Sequence, residues 1–154
     1  MVKRQTKLQK YNDLANAVGQ IRRGEKVKRI GAKDGSIRTH AVIDVPDVLE
    51  KIVLQDCLEW LRKRGIVCDR NNTGAGEMGT SGFYNYGIKN GGDIIGLTKQ
   101  GIHYELECKR GRSGRLSEGQ QKRMQIIRNN GGTYLVIHGW QELEYYNEQY
   151  GYFN

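Results

Sequence analysis

No apolar stretch in this chain approaches the roughly 18 to 20 residues that a membrane span needs, and no apolar leader follows Met1-Val2-Lys3-Arg4. Cysteine is scarce. Cys57, Cys68 and Cys108 are an odd count without C-x-x-C spacing, which argues against both a disulfide framework and a structural zinc site. The three histidines, His40, His103 and His138, do not form a catalytic triad by spacing and receive no role. No internal repeat is visible. Apolar residues are only 37% of the 154, yet they gather at 48–61, 94–108 and 134–137, so one modest core is expected and global disorder is not. The length suits one domain, for which about 100 to 150 residues is usual.

Positive charge is abundant. The chain carries 25 Lys and Arg against 17 Asp and Glu, a formal charge of +8. Residues 1–45 hold 11 basic and 4 acidic residues, net +7, and the remainder holds 14 and 13, net +1. A basic arm over residues 1–45, ahead of a nearly neutral domain over 46–154, is the expected organisation. Such an arm suits phosphate backbones, because each neutralised phosphate releases counterions. The plain alternative is a solubilising tail.

Leu8, Tyr11, Leu14, Ala15, Val18 and Ile21 recur near a period of 3.6 and predict a helix over 4–21. Residues 37–45 alternate loosely enough for a short strand or an extended arm. Pro46 is read as a helix start, with a helix over 47–64 whose apolar side holds Leu49, Ile52, Val53, Cys57, Trp60 and Leu61, widened by Leu54 and Leu58. Gly65 should stop it, and 66–68 should be a strand. Seven glycines between Asn71 and Gly92 predict a long flexible loop. Two strands, 93–97 and 102–109, are expected as a hairpin, followed by a helix from Ser117 to about Asn130, a strand over 133–138 and a last helix over 141–150. This alternation predicts an α/β domain with helices flanking a small mixed sheet.

Glu107 and Lys109 stand two apart in a strand, so both side chains leave one face, with Cα atoms roughly 6.6 Å apart. Asp93 opens the neighbouring strand. Two carboxylates and an ammonium brought together across a strand pair make a site for a hard cation such as Mg²⁺, with the Cys108 backbone carbonyl as a further ligand. That chemistry suits phosphodiester hydrolysis, in which Lys109 orients or helps deprotonate the attacking water, or meets the charge of the transition state. An exposed cross-strand ion pair, worth about 0 to 1 kcal/mol, is the plain alternative. Glu105 shares the face of Glu107 and rivals it, but only Glu107 has a lysine at the right offset.

The blocks Asn90-Gly91-Gly92-Asp93-Ile94-Ile95-Gly96-Leu97, Tyr104-Glu105-Leu106-Glu107-Cys108-Lys109-Arg110-Gly111 and Gly114-Arg115-Leu116-Ser117-Glu118-Gly119-Gln120 closely resemble the VRR-NUC family of the PD-(D/E)XK nuclease superfamily. The resemblance runs from about Val48 to Tyr146. It implies a restriction-endonuclease-like core and a Mg²⁺-dependent DNA endonuclease, with Mn²⁺ able to substitute. Asp93, Glu107 and Lys109 take the metal-binding and catalytic places, Glu50 the helical acidic place, reaching the metal through a water, and Gln120 the glutamine place. Gly92 stands where many members have proline, a change expected to alter loop stiffness rather than ligand chemistry. Stand-alone members that resemble this chain act as homodimers on branched DNA such as four-way junctions or flaps; no membrane and no organic cofactor is implied, and the place is a bacterial cytoplasm or the host cell of a virus or mobile element.

Glu50 could instead stabilise its helix through the dipole, and Gln120, three residues after Ser117, makes a capping box by spacing alone. Arg110, Arg112 and Arg115, together with Lys3, Arg4, Arg22, Arg23, Lys26, Lys28 and Arg29, are the expected DNA contacts. The glycine-rich segment could grip DNA or merely connect. The tyrosines Tyr134, Tyr145, Tyr146, Tyr150 and Tyr152 are read as core or dimer contacts rather than stacking platforms. A sequence-specific homing or restriction-type enzyme on the same fold and a non-catalytic DNA-binding module are the alternatives.

Overall fold

The six-residue run His-Tyr-Glu-Leu-Glu-Cys at 103–108 alternates apolar with polar, and a period of two in a strand sends Tyr104, Leu106 and Cys108 to one face and Glu105 and Glu107 to the other. In the computed structural model this run is one of the two inner strands of the largest sheet. Residues 6–25, 34–77, 79–80 and 82–154 are described. They form α1 (Lys7–Arg22), β1 (Ile37–Arg38), α2 (Glu50–Lys63), β2 (Val67–Arg70), β3 (Gly74–Glu77), β4 (Phe83–Tyr86), β5 (Ile94–Leu97), β6 (His103–Cys108), β7 (Arg115–Leu116), α3 (Glu118–Asn129), β8 (Thr133–Ile137) and α4 (Trp140–Tyr150). The class is mixed α/β, with four helices and small sheets among the described residues. No helix among them is long and apolar enough to cross a membrane.

The chain divides into two units, residues 1–33 and 34–154. In the first, α1 follows the predicted periodicity, but Leu8, Tyr11, Leu14 and Ile21 are all exposed. The expected boundary at residue 45 lies inside the second unit. There β1 pairs antiparallel with β7, the Val42 N–H donates to Glu142, and Val45 is buried.

In the second unit the four-stranded sheet runs β2-β5-β6-β8, with β2/β5 and β5/β6 antiparallel and β6/β8 parallel. α2 and α4 pack on the apolar face. Val53, Leu54, Cys57, Leu58 and Leu61 meet Ile94, Tyr104, Leu106, Leu135, Ile137 and Leu143 there as one core. A fully buried leucine such as Leu61 contributes about 2 to 5 kcal/mol against alanine. α3 lies on the polar face. Its Gln120 and Arg123 reach Glu107 and Glu105.

Three expectations are corrected. The first core helix begins at Glu50 rather than at 47, with Leu49 as N-cap in extended conformation. Asp47 pairs with Arg110, the Val48 carbonyl accepts from Gly111 N–H and the Val48 N–H turns back to the Pro46 carbonyl, so the chain after Pro46 is tied to the loop that follows β6 before the helix starts. Leu49 and Ile52 are consequently exposed, and the buried side shifts to Val53, Leu54, Cys57, Leu58, Trp60 and Leu61. The glycine-rich segment is not a plain loop: β3 and β4 form an antiparallel hairpin. Gly74 and Gly76 make room for the rings of Tyr86 and Tyr84, since a Cβ at either would fall 2.2 or 2.7 Å from a tyrosine hydroxyl. Gly65, at φ 66°, ends α2 in the left-handed region as expected.

Candidate active site

Register places Asp93 and Glu107 side by side. β5 pairs with β6 through Ile94↔Leu106, so Asp93, one residue before Ile94, lies beside Glu107, one residue after Leu106, on the face that α3 covers. The Cys108 N–H donates to Asp93 Oδ2 at 2.8 Å and ties the carboxylate to the next strand. In an extended strand the N–H and C=O of one residue leave the same edge, so the Cys108 carbonyl is also on the Asp93 side. The Lys109 N–H goes the other way, to the Ile137 carbonyl at 2.8 Å.

Glu107 is the hub. Lys109 Nζ donates to its Oε1 at 2.7 Å and Gln120 Nε2 donates to the same oxygen at 2.5 Å. Glu107 and Lys109 are both buried, so the exposed-ion-pair alternative does not describe them. Burial pushes the Glu107 carboxyl up to about 7; the neighbouring Asp93 charge and then that of Glu50 add to the rise, and Lys109 opposes it. Asp93 is raised too, by burial first, against the pull of the Cys108 N–H, Lys109 and Arg70. Two adjacent carboxyls that resist ionisation mark a place where one ammonium is too little positive charge.

Gln120 makes the capping box and also reaches Glu107. Its Oε1 accepts from Ser117 N–H at 2.9 Å, its own N–H donates to Ser117 Oγ at 3.2 Å, and its amide NH₂ is left for Glu107. The helix cap thus aims the amide that fixes the carboxylate. Glu50 sits exposed in the first turn of α2, and its field reaches Glu107.

Glu105 is no rival to Glu107. It is fully buried and consumed by Arg123, the Gly92 N–H at 2.9 Å and His103 at 2.9 Å. Burial alone would raise its pKa, but Arg123, Gly92 and His103 outweigh it and hold the carboxyl below its ordinary value. Gly92 does more than relax a loop, because proline has no N–H to give Glu105. A Cβ at Gly92 would also fall 2.8 Å from the Leu106 carbonyl.

The basic candidates divide. Arg110 is paired with Asp47 through Nε at 3.0 Å and Nη2 at 3.1 Å, and Arg115 is anchored on Ser36. Arg112 is exposed, as is Arg22, while Arg23 pairs with Glu25. Lys3, Arg4, Lys26, Lys28 and Arg29 lie outside the described residues.

Two participants escaped the sequence reading. Arg123 follows Gln120 by three residues, a spacing that puts both on one helix face and could have flagged it. Tyr134 pairs in register with Glu105 and is fully buried, with no hydrogen-bond partner for its hydroxyl among the described residues. Burial and then the charges of Glu107, Glu105 and Asp93 raise its pKa. Only the parallel β6/β8 register reveals it.

Among the described residues no group of three or more His, Cys, Asp or Glu side chains is arranged to hold a metal ion. A cation held by Asp93 and Glu107 would have to need few protein ligands. Mg²⁺ keeps several waters and is often held by one or two carboxylates. Asp93 Oδ1 and Glu107 Oε2 remain beyond the hydrogen bonds described above. No protein-family model, curated protein or solved structure matches the chain.

Proposed function

We propose that this chain is a metal-dependent DNA endonuclease of the VRR-NUC type on a restriction-endonuclease-like core. The observation that carries the proposal is the convergence of Asp93 and Glu107 on adjacent strands, with Lys109 Nζ 2.7 Å from Glu107 Oε1. The element order supports it. With the β3–β4 hairpin inserted after β2 and β7 after β6, the order runs through a helix, three antiparallel strands, a helix and a fourth strand parallel to the third, namely α2, β2, β5, β6, α3 and β8.

Asp93, Glu107 and the Cys108 carbonyl would hold Mg²⁺ or Mn²⁺, with Glu50 acting through water. The ion supplies charge to offset that gathering on the phosphoryl group and lowers the pKa of the attacking water. Gln120 fixes which way the Glu107 carboxylate faces. Lys109 has three N–H donors; one goes to Glu107, and the others can orient water and meet the negative charge of the phosphate. Glu107 and Lys109 are buried, so the pair they form acts with weak solvent screening. By the same resemblance, the proposed assembly is a symmetric dimer presenting two sites to a four-way junction or flap.

Incubation with branched, duplex and single-stranded DNA in Mg²⁺, Mn²⁺ or EDTA tests the proposal. Cutting should require the ion and disappear in Asp93→Asn and Lys109→Ala variants that remain folded by circular dichroism. A folded Lys109→Ala protein that cuts at the wild-type rate would refute it.

A further inference from the structure

The β1–β7 ribbon breaks a rule of sheet pairing. Arg38 and Arg115 are direct partners across this antiparallel pair, so their side chains share one face. Like charges placed directly opposite destabilise a strand pair. Arg115 is steadied by Ser36, to whose hydroxyl its Nε donates at 2.7 Å and to whose carbonyl its Nη2 donates at 2.8 Å. Behind Ser36 stands Asp34, whose carboxylate also accepts from Ser36. Arg38 has no ion pair among the described residues.

The two arginines open onto a cleft of about 290 Å³ lined by Arg38, Thr39, His40, Arg112, Ser113, Gly114 and Arg115. No carboxylate among the described residues lines it. The Arg112 backbone N–H donates to Asp47, whose carboxylate is committed to Arg110. A second depression, of about 320 Å³, shares His40 and Arg112 with the first and extends the track past Gly111; Asp44 is its one acidic lining residue. Three guanidiniums and a serine hydroxyl around one cleft suit a phosphate, because guanidinium presents a fork of donors that matches phosphate oxygens.

The cleft shares a wall with the candidate active site. Gly114 adopts φ 152°, where an L side chain is strained, and a Cβ there would lie 2.8 Å from Lys109 Cβ and 2.9 Å from Thr39 Oγ1. The Thr39 N–H donates to the Gly114 carbonyl at 3.1 Å. Glycine therefore lets the arginine ribbon close directly onto the stem of Lys109.

We infer that the Arg38–Arg112–Arg115 cleft is a phosphodiester-binding site, which seats a flanking backbone phosphate of the nucleic-acid strand engaged at Lys109. The choice of a polymer rests on the nuclease proposal; the anion site rests on the opposed arginines and the cleft. Phosphate neutralises the repulsion that the ribbon carries when empty. Because the ribbon is built from residues on both sides of the catalytic strand, a phosphate bound there also fixes the register of the strand relative to Lys109.

The test is fluorescence anisotropy of a labelled duplex in EDTA, where no cutting is read, over a series of salt concentrations. Each lost phosphate contact should lower the slope of log K against log salt by about 0.9, which is roughly eightfold in affinity at 0.1 M salt. The folded Arg38→Gln/Arg112→Gln protein should thus bind about eightfold more weakly at that salt, with a slope smaller by about 0.9. Lys99→Gln, on the turn between β5 and β6, should change neither. If the double variant fails to fold, Arg38→Gln alone should lower the slope in the same direction, by less than about 0.9. An unchanged slope in a folded variant, or an equal loss in Lys99→Gln, would overturn the inference. So would inorganic phosphate binding as tightly as the duplex, which would make the cleft a small-anion site. A protein that binds through the cleft but never cuts would remove the nuclease proposal and leave the cleft standing. One that cuts with the cleft variants binding normally would do the reverse.

Discussion

Raising the pH from 5 to 8 in EDTA should destabilise this protein, with Glu107 responsible for about 2.5 kcal/mol of the loss. Its side chain is 4% exposed and its carboxyl is held at about 7 against an ordinary value of 4.5. A carboxyl whose folded pKa is raised binds its proton more tightly in the fold than in the unfolded chain. The penalty is therefore absent well below 4.5, grows between 4.5 and 7, and is complete above that. At 1.36 kcal/mol for each tenfold change, the full penalty is about 3 kcal/mol, most of which falls between pH 5 and 8. For a chain of this size it corresponds to roughly 5 to 10 °C in Tm. Glu107→Gln keeps the shape and an acceptor for Lys109 and Gln120 but cannot ionise. Thermal denaturation of both proteins across this range should show curves that separate with pH, the variant melting higher at pH 8. Saturating Mg²⁺ should then raise the wild-type Tm at pH 8 and leave the variant where it was. Parallel curves for the two proteins would refute the reasoning.

Two substitutions separate structure from chemistry nearby. Ser117→Ala removes half of the capping box and should cost about 1 kcal/mol in denaturant unfolding, with DNA cutting retained. Gln120→Leu loses the other half and the anchor on Glu107, so cutting should fall at least tenfold at unchanged DNA affinity; equal effects on cutting would contradict the dual role. Glu105→Ala strands Arg123 in a largely buried site and should cost about 3 to 5 kcal/mol, read by urea unfolding. A Glu105→Ala protein within about 1 kcal/mol of wild type would show that Glu105 does not lock α3 to the sheet.

The core elements were legible because their periods are clean: His103–Cys108 alternates strictly, and Ser117 with Gln120 spells a cap that the structure contains. The juxtaposition of Glu107 and Lys109 followed from spacing alone. What escaped depends on long-range pairing. Pro46 looked like a helix start because its φ suits one, and only the contacts of Asp47 and Val48 with the loop after β6 keep the next residues out of the helix. The β3–β4 hairpin was hidden by its glycines, which local propensity counts as loop formers but which here accommodate two tyrosine rings. In the sequence only the lysine two residues after Glu107 separates it from Glu105. Arg123 distinguishes them, and it arrives from another element.

The most direct test of the central claim is Mn²⁺ binding to the DNA-free protein at pH 8, followed by electron paramagnetic resonance. A single saturable site in the wild type that is lost in both Asp93→Asn and Glu107→Gln is the predicted result. Binding that survives in both folded variants, or none in the wild type, would contradict a shared metal site at Asp93 and Glu107.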